Sequence, residues 1–343
     1  MQLVPFPSIG YQIDSERWRI IVAGVVRLPY SSTIRKRMVL RILGNVMGVA
    51  EEEILSDRYF PRIRPFVSDG AKKCHIQIRI GEETSMLGGP TKRNGHFSEA
   101  IYVPSHLVEA RSSLTECGRA TLDVHLSCLG SNEWQTAKVF LMPRAGVSVI
   151  TDIDDTIKDS AINDRKELLA NTFLRPFRSI SGMADVYNEW ANNGVDFHYV
   201  SSSPWQLLKP ISEMLERDGF PSGSVHLRYF RLRNHVLQRM IRIKRSGKIT
   251  SLKQVVGDLR DRRFLLVGDS GEKDLELYCS LVKRYGDRIL AVFIRNLASK
   301  PLSDERIRKF TEQYPQTPLH IFRDAEELRG QATPYLESQT VAD

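Results

Sequence analysis

Acidic residues crowd the stretch ITDIDDTIKDS, which starts at residue 150. Asp152, Asp154 and Asp155 follow directly after the apolar, β-branched run VSVI at 147–150. Carboxylates brought together at the end of a strand repel one another. A hard divalent cation with oxygen ligands relieves that repulsion, and Mg²⁺ usually needs one or two protein carboxylates. The stretch therefore predicts a Mg²⁺ site.

Two more polar groups follow apolar runs later in the chain. The run FHYV ends in three serines at 201–203, and the run FLLV ends in GDSGEKD at 268–274. In parallel α/β sheets, sites form at the carboxyl ends of the strands. We therefore expect the first carboxylates, the hydroxyl cluster and the second carboxylate cluster to meet on one edge of a sheet.

The elements that must position these groups alternate between strand and helix. Short apolar strands are predicted at 147–150, 197–200, 264–267, 289–294 and 319–322, with amphipathic segments between them. This alternation is typical of a mostly parallel sheet that is covered by helices on both faces. The predicted fold class of this half is α/β.

The first half of the chain has a different texture. Runs such as RWRIIVAGVV at 17–26 and HIQIRI at 75–80 predict strands, and one helix is expected at 33–47. This pattern favours a β-sandwich-like domain. The expected organisation is an N-terminal domain at 1–145, an α/β domain at 146–330 and a flexible tail at 331–343.

The motifs resemble those of a known superfamily. DIDDT at 152–156 matches the DxDx[TV] signature of the haloacid-dehalogenase (HAD) superfamily, and GDSGEKD matches its acidic metal motif. More narrowly, DIDDTIK, GMADVYNEWANNGVDFHYVSSSPWQL and FLLVGDSGEKDLELY resemble the phosphatidate phosphatase family typified by the fungal actin patch protein. The resemblance covers about 147–328. FPSIGY, RPFVSD and GHFSE in the first half are also similar to members with a β-rich domain before the catalytic one. The implied fold is a HAD-like Rossmannoid sheet.

The resemblance assigns roles to the acidic residues. Asp152 corresponds to the nucleophile, which attacks phosphorus and forms an aspartyl-phosphate. Asp154 corresponds to the general acid and base, with its main-chain carbonyl on the metal. Asp269 and Asp274 would complete the metal site with Asp152, although Glu272 is close enough in sequence to take the place of Asp274.

Two further residues are expected at the phosphoryl group. Ser201 stands where the superfamily keeps a strand-end hydroxyl that bonds phosphate oxygens. Lys248, in GKITSL at 247–252, opens the segment before the last acidic motif and is the expected basic residue. Lys244 and Arg245 are alternatives, because they lie near Lys248 in sequence.

Composition narrows the cellular setting. The chain has 343 residues and a formal net charge of +8, which favours an anionic partner or substrate. Its four cysteines form no CxxC pair, so neither a zinc site nor a disulfide framework is predicted. No apolar run approaches the roughly 20 residues that span a bilayer, and the first residues do not read as a signal peptide. We expect a cytoplasmic protein, with peripheral contact to the membrane as an additional hypothesis.

A basic stretch suggests where a membrane would be met. Residues 219–257 contain nine Arg and Lys and no Asp or Glu, and Val236, Met240 and Ile243 recur at helical spacing. This pattern is typical of a helix on an anionic membrane surface, with 228–248 as the contacting part. The alternative is a solvated basic face whose apolar side packs on the domain. No nucleic-acid partner is predicted, since no binding module accompanies the charge.

These expectations combine into one functional hypothesis. The chain is predicted to be a Mg²⁺-dependent phosphatidate phosphatase that releases diacylglycerol and phosphate. The insertion at 158–182 is short, which predicts an open cleft suited to a phospholipid substrate. The alternatives are a phosphatase for a soluble phosphomonoester or a phosphoprotein, and a non-catalytic membrane-recruitment module. The sequence does not determine the oligomeric state.

Overall fold

The computed structural model describes residues 1–57, 59–115, 118–160, 171–228, 246–271 and 273–337. Its first half is rich in strands, with four helices. The elements are β1 Gln2–Pro5, β2 Ser8–Gln12, β3 Arg17–Arg27, α1 Ile34–Met47, α2 Glu51–Ile54, α3 Phe60–Val67, β4 Ile76–Ile80, β5 Glu83–Met86, β6 His96–Pro104, α4 Ser105–Arg111, β7 Ser112–Leu114, β8 Ala120–Cys128 and β9 Gln135–Met142.

Helix α1 shows how local sequence sets these boundaries. Thr33 precedes the helix in an extended conformation, and its hydroxyl accepts a hydrogen bond from the backbone N–H of Lys36 at 3.3 Å. This bond satisfies one of the donors left open at a helix start. The helix stops at Gly48, which has a left-handed φ of 72° that glycine adopts without a Cβ clash.

The strands of the first half form one hydrogen-bonded sheet. The order is β1-β3-β2-β9-β8-β4-β5, with β6 paired to β3 and β7 paired to β8. Burial alternates along β4, where Ile76, Ile78 and Ile80 are buried, as a period of two requires. Because hydrogen bonds join all these strands, two separate sheets are not observed among the described residues, and the β-sandwich-like architecture stays a prediction.

The second half is a mixed α/β unit, which confirms the predicted class. Its elements are β10 Gly146–Asp152, β11 Lys158–Asp159, β12 Arg178–Ser179, α5 Met183–Asn192, β13 Asp196–Pro204, α6 Leu208–Arg217, β14 Gly223–Arg228, α7 Ser246–Asp258, β15 Arg262–Asp269, α8 Asp274–Tyr285, β16 Ile289–Arg295, α9 Asp304–Gln313, β17 Leu319–Phe322 and α10 Ala325–Glu337. Six strands form a parallel sheet in the order β14-β13-β10-β15-β16-β17, and β11 and β12 form a separate antiparallel pair.

The register brings the ends of three strands level with one another. Strand β10 lies between β13 and β15, and Thr151 is opposite both Tyr199 and Val267. All three strands run in the same direction, so the residues after them emerge on one edge of the sheet. That edge therefore holds the residues that follow β10, β13 and β15.

Hydrophobic packing joins the two halves. One continuous core contains residues from β1 to α3 together with residues of the parallel sheet and its helices. Trp205, just after β13, lies in this seam, with ring centroids 6.0 Å from Phe6 and 5.4 Å from His96. Arg27 lies over the same indole at 5.7 Å. The first half therefore packs directly against the segment that follows the serine cluster.

The end of the chain differs from the expected tail at 331–343. Helix α10 continues to Glu337, because Leu328, Ala332 and Leu336 recur every four residues and are all buried against the core. The prediction of a flexible segment from 331 is therefore wrong as far as residue 337, and 338–343 lie outside the described residues.

Two other expectations fall largely on residues outside the description. The predicted membrane-contacting stretch at 228–248 includes 229–245, and the insertion at 158–182 includes 161–170; neither inner segment is described. Within the described parts of the chain, no helix is both long and apolar enough to cross a bilayer.

Arg262 ties the amino-terminal edge of the parallel sheet together. Its side chain is buried, and its Nη2 lies 2.5 Å from the Asp196 carboxylate and 2.7 Å from the carbonyl of Val147. Its Nη1 donates to the carbonyls of Pro143 and Ala145, both at 2.9 Å. One guanidinium therefore links the connection between the halves to two strands of the sheet.

We expect Arg262→Met to destabilise the protein by about 3–5 kcal/mol, because it leaves the buried Asp196 carboxylate without its main cation. The check is the midpoint of urea unfolding. Arg144→Met is the matched control, since Arg144 pairs with Asp261 at 2.7 Å but both side chains are more than half exposed, at 73% and 52%. Its expected cost is small, because water screens an exposed ion pair. Equal costs for both variants would contradict the prediction.

Candidate active site

Asp152 and Lys248 meet at the carboxyl edge of the parallel sheet. Asp152 is the last residue of β10, and Lys248 lies in the first turn of α7. Both side chains are buried, and Lys248 Nζ lies 2.5 Å from Asp152 Oδ1. The same ammonium also donates to Asp274 Oδ1. Lys248 therefore neutralises part of the charge that the strand-end carboxylates bring together.

Asp269 and Asp274 come from the end of β15 and the start of α8. The backbone N–H of Gly271 donates to Asp269 Oδ1 at 2.6 Å. The backbone N–H of Asp269 in turn donates to Asp274 Oδ2 at 3.2 Å. Gly268 makes this approach possible, because a Cβ there would lie 2.5 Å from Asp274 Oδ2. A side chain at position 268 would therefore push the two elements apart.

Three carboxylates form a group suited to a hard cation. Oxygen atoms of Asp152, Asp269 and Asp274 all lie within 4.8 Å of one another, and all three residues are buried. Lys248 places its ammonium against two of these carboxylates, those of Asp152 and Asp274. This donor set fits Mg²⁺, which takes oxygen ligands and offsets carboxylate repulsion. The carboxylate of Asp154 is not part of this group.

Asp154 instead has its own set of donors. Its Oδ2 accepts hydrogen bonds from the hydroxyls of Ser201 at 2.6 Å and Ser203 at 2.8 Å. Its Oδ1 lies 2.6 Å from Lys158 Nζ and accepts a hydrogen bond from Ser160 Oγ at 3.1 Å. Burial opposes ionisation, but the Lys158 charge and the hydrogen bonds outweigh it and hold the pKa of Asp154 below its ordinary value. Asp154 is therefore held as an anion.

Asp155 lies in the turn that follows the two carboxylates of the motif. Asp155 has a left-handed φ of 56°, a conformation that aspartate tolerates better than most residues. Its carboxylate accepts the backbone N–H of Ser160 at 3.0 Å, and its carbonyl accepts a hydrogen bond from Arg295 at 2.8 Å. Asp155 thus supports the shape of the turn.

The sequence analysis singled out neither Ser203 nor Lys158. Ser203 was signalled by strand alternation, because residues two apart on β13 point to the same side, so Ser203 shares the direction of Ser201. Lys158 was a lone basic residue four positions after Asp154, which is a weak signal without the fold. The alternatives Lys244, Arg245 and Glu272 lie outside the described residues.

Replacing Lys248 should expose the repulsion within the carboxylate group. In chelator, Lys248→Met is expected to lose about 3–5 kcal/mol of stability, since it removes the cation from a buried, charged cluster. The measurement is the urea midpoint in EDTA, beside Lys283→Met, a change at an exposed lysine of α8. A Lys248→Met midpoint equal to that of the control would refute the idea that Lys248 holds the cluster together.

Comparison with known proteins points to one family. The sequence model described as phosphatidate phosphatase APP1, catalytic domain, matches residues 147–296. An uncharacterized protein of Schizosaccharomyces pombe is 36% identical over 167 residues, which cover 48% of this chain and 27% of that protein. Phosphatidate phosphatase APP1 of Saccharomyces cerevisiae is 26% identical over 278 residues, which cover 76% of this chain and 44% of that protein.

These matches cover only part of each relative. The chain spans less than half the length of either curated relative. Among solved structures, a mutant of the PilB minor pilin from Streptococcus sanguinis aligns at 8% identity and covers 78% of this chain and 88% of that one. Its TM-score of 0.28 is too low to indicate a shared fold. The resemblance noted in the sequence is confirmed, since residues 147–296 match the model of the phosphatidate phosphatase APP1 catalytic domain and the chain is similar to the yeast protein of that name.

Proposed function

We propose that the chain is a Mg²⁺-dependent phosphatidate phosphatase of HAD type, which hydrolyses phosphatidate to diacylglycerol and phosphate. The observation that carries the proposal is the buried group of Asp152, Asp269 and Asp274 around Lys248, inside the segment that matches the family model. The match to the phosphatidate phosphatase model supports the general assignment to hydrolases. The substrate, the metal and the mechanism are our proposals.

In the proposed mechanism, Asp152 is the nucleophile. A carboxylate oxygen of Asp152 attacks phosphorus, an O–P bond forms, and the bond from phosphorus to the leaving oxygen breaks. Lys248 Nζ lies 2.5 Å from Asp152 Oδ1, and a carboxylate attacks without first losing a proton. The Lys248 ammonium lies within reach of phosphoryl oxygens that approach Asp152, where its charge opposes their repulsion by the carboxylates.

Asp154 would exchange protons with the leaving group and with water. It would take a proton from solvent as substrate binds and give that proton to the leaving oxygen in the first half of the reaction. It would then take a proton from the water that attacks the aspartyl-phosphate, which releases phosphate and restores Asp152. The contacts of Asp154 with Lys158 and the two serines stabilise its anion and so support the proton-accepting role in the second step. Ser201 is proposed to turn from Asp154 to a phosphoryl oxygen when substrate is bound.

The proposed metal site consists of Asp152, Asp269 and Asp274, with the main-chain carbonyl of Asp154 as a further oxygen ligand. Bound there, Mg²⁺ would supply positive charge to phosphoryl oxygens during transfer. Asp274 takes precedence over Glu272 in this assignment, because its carboxylate already belongs to the buried group.

Two observations support a phospholipid substrate, namely the match to the phosphatidate phosphatase model and the positive net charge of the chain. Phosphatidate carries a phosphomonoester at a membrane surface, and a net charge of +8 favours approach to an anionic surface. Binding of such a surface through 228–248, and a cytoplasmic location, remain proposals from the sequence. The same proposal includes a HAD-like sheet and an open cleft that admits a phospholipid.

Phosphate release by the purified protein tests the function. We expect release from phosphatidate in mixed micelles with Mg²⁺, and a loss of at least about 10³-fold in Asp152→Asn, which removes the nucleophile. Asp287→Asn, a change at an exposed carboxylate beyond α8, is the control. The small substrate 4-nitrophenyl phosphate and EDTA are run in parallel.

Each outcome distinguishes the alternatives. Release from the aryl phosphate but not from phosphatidate would keep the mechanism and overturn the lipid substrate. Release that persists in EDTA would overturn the metal requirement. Folded wild-type protein that releases phosphate from neither substrate would contradict the proposed phosphatase activity on these esters and favour a phosphoprotein substrate or a non-catalytic module.

Metal binding is tested separately from turnover. Mg²⁺ at about 100 times its dissociation constant should stabilise the wild-type protein by about 2.7 kcal/mol, because it binds the folded carboxylate group and not the unfolded chain. In Asp269→Asn this gain should fall by more than half, while Asp287→Asn should keep it. The readout is the urea midpoint with Mg²⁺ and with EDTA. A gain of the same size in Asp269→Asn would rule out this site.

A further inference from the structure

We propose that Lys158 is a positioning residue that aims the Asp154 carboxylate at the leaving oxygen of the substrate. The inference rests on the proposed function, since it concerns the acid–base step of that reaction. It assigns a role to a second buried lysine, which is distinct from Lys248 and does not contact the group of Asp152, Asp269 and Asp274 in the contacts described. Lys158 acts through Asp154 and is not itself a reacting group.

The contacts of Lys158 converge on one oxygen of Asp154. Its Nζ lies 2.6 Å from Asp154 Oδ1 and donates to Ser160 Oγ at 2.8 Å, and that hydroxyl donates to the same oxygen at 3.1 Å. The other oxygen is held by Ser201 and Ser203. Donors on both oxygens restrict rotation of the carboxylate, so its plane is defined before substrate arrives.

The backbone fixes Lys158 relative to the motif. Its N–H donates to the carbonyl of Ile153 at 2.9 Å, and its carbonyl accepts the N–H of Asp155 at 2.8 Å. Lys158 also lies in β11, where it pairs with Ser179 of β12. These bonds fix the backbone from which the lysine side chain extends toward Asp154.

An aromatic ring completes the support and links it to the first half of the chain. Lys158 Nζ lies 4.9 Å from the ring centroid of Phe177, and Arg62 of α3 lies 5.4 Å from the same centroid. Arg217 donates to the carbonyl of Phe177 at 2.6 Å, and Arg62 donates to the carbonyl of Arg175. Helix α3 thus backs the ring that the ammonium rests on, which gives the first half a part in shaping the site.

The chemical consequence concerns the leaving group. In the first half-reaction, the Asp154 anion takes a proton from solvent, the bond from Asp152 to phosphorus forms, the bond from phosphorus to the leaving oxygen breaks, and the proton moves from Asp154 to that oxygen. An alkoxide such as that of diacylglycerol needs this proton, whereas 4-nitrophenolate is stable as an anion and does not. A badly aimed Asp154 should therefore slow alkyl esters much more than aryl esters.

The experiment measures alcohol release in the first turnover, with wild type and Lys158→Met at saturating substrate and Mg²⁺. Methionine keeps much of the packing against Phe177 but carries no ammonium. We expect release of diacylglycerol from phosphatidate to fall about 10- to 100-fold, part of the effect that a general acid contributes. Release of 4-nitrophenol should change less than about 3-fold, so the ratio of the two rates is the decisive quantity.

Two further variants sharpen the result. Lys36→Met is the matched control, because Lys36 also pairs with a carboxylate, Asp69 at 2.7 Å, and lies 5.6 Å from the Tyr30 ring. It should leave both rates unchanged. Lys158→Arg keeps the charge but moves it, and should give a ratio between those of wild type and Lys158→Met. If Lys158→Met does not fold, a Lys158→Arg ratio equal to that of wild type overturns the proposal.

The possible failures are distinguishable. Equal losses on both esters in Lys158→Met would show a general structural role and overturn the proposal, while the phosphatase assignment would stand. Unchanged rates on both esters would also overturn it. If wild type releases neither alcohol, the proposed function fails first, and the positioning role fails with it.

Discussion

Electrostatic repulsion between buried carboxylates is the constraint on which this site depends. Asp152, Asp269 and Asp274 arrive from three different points of the chain and bring their oxygens within 4.8 Å of one another. Lys248 compensates part of this charge through contacts with two of them. The remaining negative charge is what makes the group suited to a divalent cation, so the cost of assembling the site is linked to the ligand that it is proposed to bind.

The two carboxylates at the heart of the motif are kept in different environments. Asp152 is bound by Lys248, whereas Asp154 is bound by Lys158 and serine hydroxyls. The left-handed turn at Asp155 brings Lys158 back toward Asp154, and the Asp155 N–H donates to the Lys158 carbonyl. Two neighbouring aspartates can thus take different roles, because partners and burial, rather than residue type, set what a carboxylate does.

The first half of the chain contributes to the site without supplying any of the proposed reacting groups. Its residues Phe6, Arg27 and His96 surround Trp205, which immediately follows the serine-bearing strand, and Arg62 backs the Phe177 ring. Because these contacts belong to one continuous core, motion of the first half relative to the sheet would disturb both supports of Asp154. Packing of the first half against the sheet therefore helps to keep the residues around Asp154 in place.

The sequence by itself determined the α/β class of the second half and predicted that the acidic residues after β10 and β15 meet, since parallel strands present their carboxyl ends on one edge. The choice of Lys248 and Asp274 came from the family resemblance, with Lys244, Arg245 and Glu272 as alternatives. It did not determine the partners of Asp154, because Lys158 and Ser203 acquire meaning only when a turn and a neighbouring strand bring them to that carboxylate. Nor did it place the end of α10 or the contacts of Trp205. Those depend on packing between segments far apart in the chain, which local periodicity and spacing do not encode.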